Sequence, residues 1–101
     1  MVNHTVSVTV EEDSIRVNPE RLMMTSEDDV QWAGTNSRGF SIVFDDDTAF
    51  GNRELEHAVA RTPNRPRAKG RFKYTVVSGE DPNLKLDPEI VIGDPPTKTN
   101  P

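Results

Sequence analysis

Two imidazoles, His4 and His57, are the side chains in this chain that could hold a metal ion or move a proton near neutral pH, and no cysteine accompanies them. Without cysteine there is no disulfide, no thiolate nucleophile and no sulfur-ligated zinc or iron–sulfur centre. A metal site needs three or four convergent ligands, so the two histidines read first as unrelated surface groups. A site built from His4, His57 and carboxylates, in a metal-binding or redox accessory protein, is the alternative. Asp45-Asp46-Asp47 could suggest calcium, but the EF-hand spacing requires a glycine where Phe50 stands, so the run reads as a solvated strand end. Ser37, Ser41 and Ser78 lie in no G-x-S-x-G elbow and have no paired base in the sequence pattern. These absences point to a non-enzyme with no cofactor.

The charged residues say more. The chain has 17 acidic and 12 basic residues and a net charge of −5. Arg61, Arg65, Arg67, Lys69, Arg71 and Lys73 fall in one window with no acid in it, so every carboxylate lies elsewhere. Such a segment could steer an acidic protein partner, or drive self-association through opposite charges. It also reads as a soluble Pro- and Arg-rich loop that guards a sheet edge against aggregation. Nucleic acid is not an expected partner, because net negative charge opposes the phosphate backbone and no aromatic residue interleaves the cations before Phe72. No stretch approaches the roughly 18 apolar residues that span a bilayer, so no membrane partner is expected either. Met1 to Thr5 lacks a basic leader, which favours a soluble, cytoplasmic protein; a secreted domain already freed of its signal would read the same way.

The elements that must position these groups are mostly strands. With 101 residues and only 33% hydrophobic side chains, the chain has material for one narrow core, which suits thin sheets with one dry face. Val6, Val8 and Val10 alternate with polar residues, as do Ile15 and Val17 before Asn18-Pro19. Further strands are predicted at Leu22 to Thr25, at Val30-Gln31-Trp32, at Phe40, Ile42 and Phe44, at Phe72, Tyr74 and Val76, and at Ile90 and Ile92. A short helix is predicted from about Asn52 to Ala60, with Leu55, Ala58 and Val59 at helical spacing and Thr62-Pro63 ending it. About seven strands and one short helix indicate an all-β sandwich over residues 1–93, followed by a disordered or extended tail at 94–101.

Three segments resemble the cupredoxin family, over a span from about Val6 to Ile92. Asn18-Pro19-Glu20 followed by Asp28-Asp29-Val30-Gln31-Trp32 is similar to that family's Pro corner and G-D-x-V-x-W turn, although an acidic residue replaces the glycine. Phe40-Ser41-Ile42-Val43-Phe44 resembles the strand opening on the first copper histidine, H-x-V-x-F. Gly70-Arg71-Phe72-Lys73-Tyr74-Thr75-Val76 is similar to G-x-Y-x-Y-x-C, which leads to the copper cysteine. The stretch Leu84 to Ile92, with Asp87-Pro88 before its last apolar strand, is similar to the closing strand of copper-free cupredoxin-like bacterial domains. The resemblance implies a Greek-key β-sandwich. Carried over residue by residue, it puts Phe40 at the first histidine position, Val76 at the cysteine, Gly79 at the second histidine and Leu84 at the methionine. A type 1 copper site needs two imidazoles and a thiolate, and none of these four can ligate. The expectation is therefore a copper-free, non-enzymatic interaction or scaffold domain, with Arg61 to Lys73 as the candidate partner-binding surface.

Overall fold

Alternation builds the first strand, β1 (Asn3–Val10): Val6, Val8 and Val10 point inward and are at most 1% exposed. A computed structural model describes residues 2–36 and 38–94; Ser37 and all but the first residue of the expected tail at 94–101 lie outside the described residues. After a polar turn closed by the Glu11 N–H donating to the Ser14 carbonyl (2.7 Å), β2 (Ile15–Asn18) pairs antiparallel to β1. At the cis Asn18–Pro19 bond the chain leaves this sheet, and β3 (Arg21–Thr25) joins the other one. β4 (Asp29–Gly34) returns to lie parallel to β1, giving a three-stranded sheet in the order β2-β1-β4. The second sheet takes β5 (Phe40–Phe44), β6 (Glu54–Leu55), β7 (Gly70–Ser78) and β9 (Glu89–Gly93). Its order is β3-β9-β7-β5-β6, and β8 (Lys85–Leu86) pairs with the end of β7.

The core lies between the sheets. Trp32 from β4 meets Tyr74 from β7 edge-on, with ring centroids 5.6 Å apart, and Phe50 at 6.1 Å. The Trp32 Nε1–H donates to the Tyr74 hydroxyl at 3.2 Å, so two polar groups that are otherwise expensive to bury satisfy each other. Burial pushes the Tyr74 phenol up to about 12, outweighing the opposite effect of the indole hydrogen bond. Phe44 packs against both Tyr74 and Phe50, which closes the cluster.

The expected helix from Asn52 to Ala60 is corrected. Only α1 (His57–Ala60) is helical, and Glu54–Leu55 is strand. Leu55 gains more by pairing opposite Ile42, where it is 2% exposed, than it would on an amphipathic helix too short to be stable alone. Val59, an expected inward position, is 45% exposed, and Ala60 is the buried residue of the turn. The described residues form nine strands instead of about seven. The additional ones, β6 and β8, are two-residue ladders too short to carry a readable period. Among the described residues no helix is long and apolar enough to cross a membrane.

Candidate functional site

Antiparallel pairing brings the start of β5 and the end of β7 to one end of the sandwich, where Phe40 stands opposite Ser78. Phe40 is 2% exposed. The Gly79 N–H donates to the Gly39 carbonyl at 2.9 Å, and a Cβ on Gly79 would sit 3.2 Å from that backbone, so a larger residue would have to push the two segments apart. The Leu84 carbonyl accepts from the Ser78 N–H at 3.1 Å, and the Leu84 side chain packs against the core. Phe40, Gly79 and Leu84 thus gather at this end. Val76 stands opposite Ile42, one inward step from Phe40.

The sequence weighs Ser78 only as a nucleophile and does not reveal that it shares the register of Phe40. The available signal was the alternation of Tyr74 and Val76, which continues to Ser78 as a buried position. Its Oγ accepts the Glu80 and Asp81 amides at 3.2 and 3.3 Å and so holds the turn after β7. His57 was also undervalued. Its Nδ1 accepts the Phe40 N–H at 3.4 Å, and its ring stands edge-on to Phe40 with centroids 4.8 Å apart. In the neutral ring this leaves the proton on Nε2. The copper that the fold would imply does not fit these residues. Carbon or hydrogen stands at Phe40, Val76, Gly79 and Leu84, the Ser78 oxygen is committed to two amides, and a single imidazole with no thiolate makes no trigonal site.

His4 serves a different corner. Its Nε2 lies 3.0 Å from Asp28 Oδ2, and the same carboxylate accepts the Thr25 N–H at Oδ2 and the Val2 N–H at Oδ1. The His4 hydrogen bond, then the Thr25 amide, holds the Asp28 carboxyl well below the usual range against the opposing effect of burial. This cluster ties the start of β1 to the corner between β3 and β4. His4 pairs with Val30, whereas His57 and Gly34 line one cavity beyond the other end of β4. Four strand residues, roughly 13 Å, separate the two places. Among the described residues no group of three or more His, Asp or Glu is placed to share a metal ion. In the acidic run, Asp46 Oδ1 accepts the Thr48 N–H at 2.9 Å, which lowers its carboxyl pKa and makes it a turn residue.

The basic segment is exposed at all six cations. It leaves α1 at Arg61, crosses the outer edge of β4 and enters β7 at Gly70. Asn64 exchanges backbone hydrogen bonds with Val30 (2.9 and 2.8 Å), a bridge that covers part of that edge. Arg65 pairs with Asp29 at 3.1 Å, Arg71 with Glu89 at 2.9 Å, and Lys69 with Asp94. Exposed pairs of this kind contribute about 0–1 kcal/mol each. Among the described residues Arg61, Arg67 and Lys73 meet no carboxylate within ion-pair distance. The cations do not form one cluster: Arg61 sits near the Phe40 end of the sandwich, and Arg71 and Lys73 sit near Phe44 and Asp45 at the other.

No family model matches the chain, and no protein of curated function matches it in sequence. Solved structures do match. A pseudoazurin from Sinorhizobium meliltoi superposes with a TM-score of 0.64 at 14% identity, over 94% of this chain and 76% of that one. A proline-to-glycine variant of amicyanin, in its reduced Cu(I) form at pH 4, superposes with a TM-score of 0.51 at 14% identity, over 87% of this chain and 81% of that one. Two sheets in this order, closed by the Trp32–Tyr74 core, therefore form a cupredoxin-like Greek-key β-sandwich.

Proposed function

We propose that this chain is a non-catalytic binding domain without type 1 copper, which docks an acidic protein surface through the segment from Arg61 to Lys73. The observation that carries the reading is a run of six exposed cations, of which Arg61, Arg67 and Lys73 meet no carboxylate within ion-pair distance among the described residues, on a chain whose net charge is −5. Arg67 and Lys73 are its best contacts, because neither is held by a carboxylate among the described residues. The internal pairs at Arg65, Lys69 and Arg71 fix the path of the loop, which lowers the entropy lost when a partner docks. Immobilised poly-glutamate is the test. A chain of this net charge can be retained there only through local contacts of its exposed cations. Retention should fall with salt and weaken in Arg67→Glu/Lys73→Glu, but persist unchanged in Lys85→Glu. Equal retention of both variants, or none of the wild type, would remove the segment from consideration. The metal-accessory alternative would need separate sites for His4 and His57.

A further inference from the structure

A cavity of about 370 Å³ opens between the end of β4 and α1, lined by Ala33, Gly34, Asn36, His57 and Arg61. Among the described residues its lining contains a guanidinium and an imidazole but no carboxylate. Arg16, Arg21, Arg38, Arg65, Lys69 and Arg71 each have an acidic partner, yet Arg61 has no ion pair or side-chain hydrogen bond among the described residues. His57 cannot turn freely, because Nδ1 holds the Phe40 amide and the ring rests on Phe40, so Nε2–H is its remaining donor. Asn36 is a fixed wall: its Nδ2 donates to the Val10 carbonyl at 2.9 Å and its Oδ1 accepts the Arg38 N–H at 3.2 Å. Ala33 and Gly34 leave the space open by being small. On β4, Val30 directs its amide groups away from β1 to Asn64, and alternation turns those of Trp32 and Gly34 to the same side.

We infer that this cavity binds a carboxylate, held by the Arg61 fork and the His57 Nε2–H. A carboxylate accepts two parallel N–H bonds from a guanidinium and has a lone pair left for a third donor. The volume is near the lower end of small-molecule sites, roughly 300–1,000 Å³, which suits a small dicarboxylic acid or one acidic residue of a peptide. Arg61 belongs to the segment of the proposed function, but this site needs Arg61 and His57 and neither Arg67 nor Lys73, so the two readings fail on different variants.

Amide and arginine side-chain NMR of the full chain tests it with two probes: succinate, and a glutamate dipeptide capped at both ends. Saturable shifts at Gly34, His57 and the Arg61 Nε–Hε are expected with at least one probe. Succinate alone would identify a free acid, the capped dipeptide alone a peptide side chain. Arg61→Gln should weaken binding about tenfold or more, the loss expected for a charge-assisted hydrogen bond. Arg61→Lys, which keeps the charge without the fork, should bind between the two. Trp32 fluorescence checks that each variant is folded. Neither probe giving saturable shifts, or shifts unchanged in both Arg61 variants, would overturn the assignment.

Discussion

Replacing Tyr74 by Phe removes one oxygen from the middle of the core and leaves the Trp32 Nε1–H, on a side chain 0% exposed, without its 3.2 Å acceptor. A buried donor stripped of its partner costs about 1–3 kcal/mol, which sets the loss expected near neutral pH. The phenol itself adds a pH signature. Burial raises it from 10.0 to about 12 in the folded chain, so folding favours the neutral form. Its contribution is fully present below the unfolded value and lost as pH rises through the folded one. At about pH 11 the unfolded chain has surrendered a proton that the folded chain still holds, a difference on the order of 1 kcal/mol. Tyr74→Phe has no such proton to lose. The stability difference between wild type and variant should therefore narrow by about 1 kcal/mol between about pH 8 and about pH 11. Urea unfolding followed by tryptophan fluorescence measures it, and because the chain has one Trp and one Tyr, both the indole emission and the phenolate absorbance belong to this pair. A constant difference across that range, or phenolate forming in the folded chain near the ordinary value, would refute the reasoning.

Asp28→Asn should destabilise by about 1–3 kcal/mol at neutral pH, because His4 and two backbone donors lose a charged acceptor. Since the folded carboxyl is depressed, its stabilisation is present above the unfolded value of 3.8 and drains away as pH falls below it. Acid unfolding curves of wild type and variant should accordingly converge, and parallel curves would count against the cluster. Gly51 has φ of 84°, and a Cβ there would meet the Arg67 Nε at 2.7 Å, so Gly51→Ala should lower stability by about 1–2 kcal/mol in urea melts. An unchanged midpoint would show that the turn relaxes at no cost. Gly79→Ala should lose about 1 kcal/mol or more, because its new methyl meets the Gly39 backbone, which cannot rotate away as a side chain can. Amide shifts at Gly39 and Phe40 would report the displacement, and none would argue that the contact is slack.

Most of the fold was legible wherever a strand buries one face over at least two alternate positions. Val6, Val8 and Val10, or Tyr74 and Val76, declare a period of two that no helix shares. The reading failed where the deciding contact was non-local. Leu55, Ala58 and Val59 have helical spacing, but Leu55 is claimed by Ile42 across the sheet, and local spacing contains no record of that neighbour. Lys85–Leu86 escaped for the same reason, since its strand identity rests on Val76 and Val77. Registers were equally hidden. The motif ending at Val76 gave no reason to look at Ser78, although the ladder places Ser78 across from Phe40.

Charge was legible as a list and misleading as a shape. In sequence the cations from Arg61 to Lys73 look like one patch, because the nearest acids along the chain are outside the window. In space, the fold returns Asp29, Glu89 and Asp94 to Arg65, Arg71 and Lys69, and runs the segment from one end of the sandwich to the other. Coulomb attraction between exposed charges is screened within about 10 Å at moderate salt, so cations strung along a sandwich act as separate short-range sites. What distinguishes one from the next is then its local company. Arg67 lies over Gly51, Lys73 lies beside Asp45, and Arg61 alone of the three lines an acid-free cavity with a histidine whose other nitrogen is already committed. An acidic surface could touch all three, but among the described residues only Arg61 of the three shares a carboxylate-free cavity with a second donor, the His57 Nε2–H.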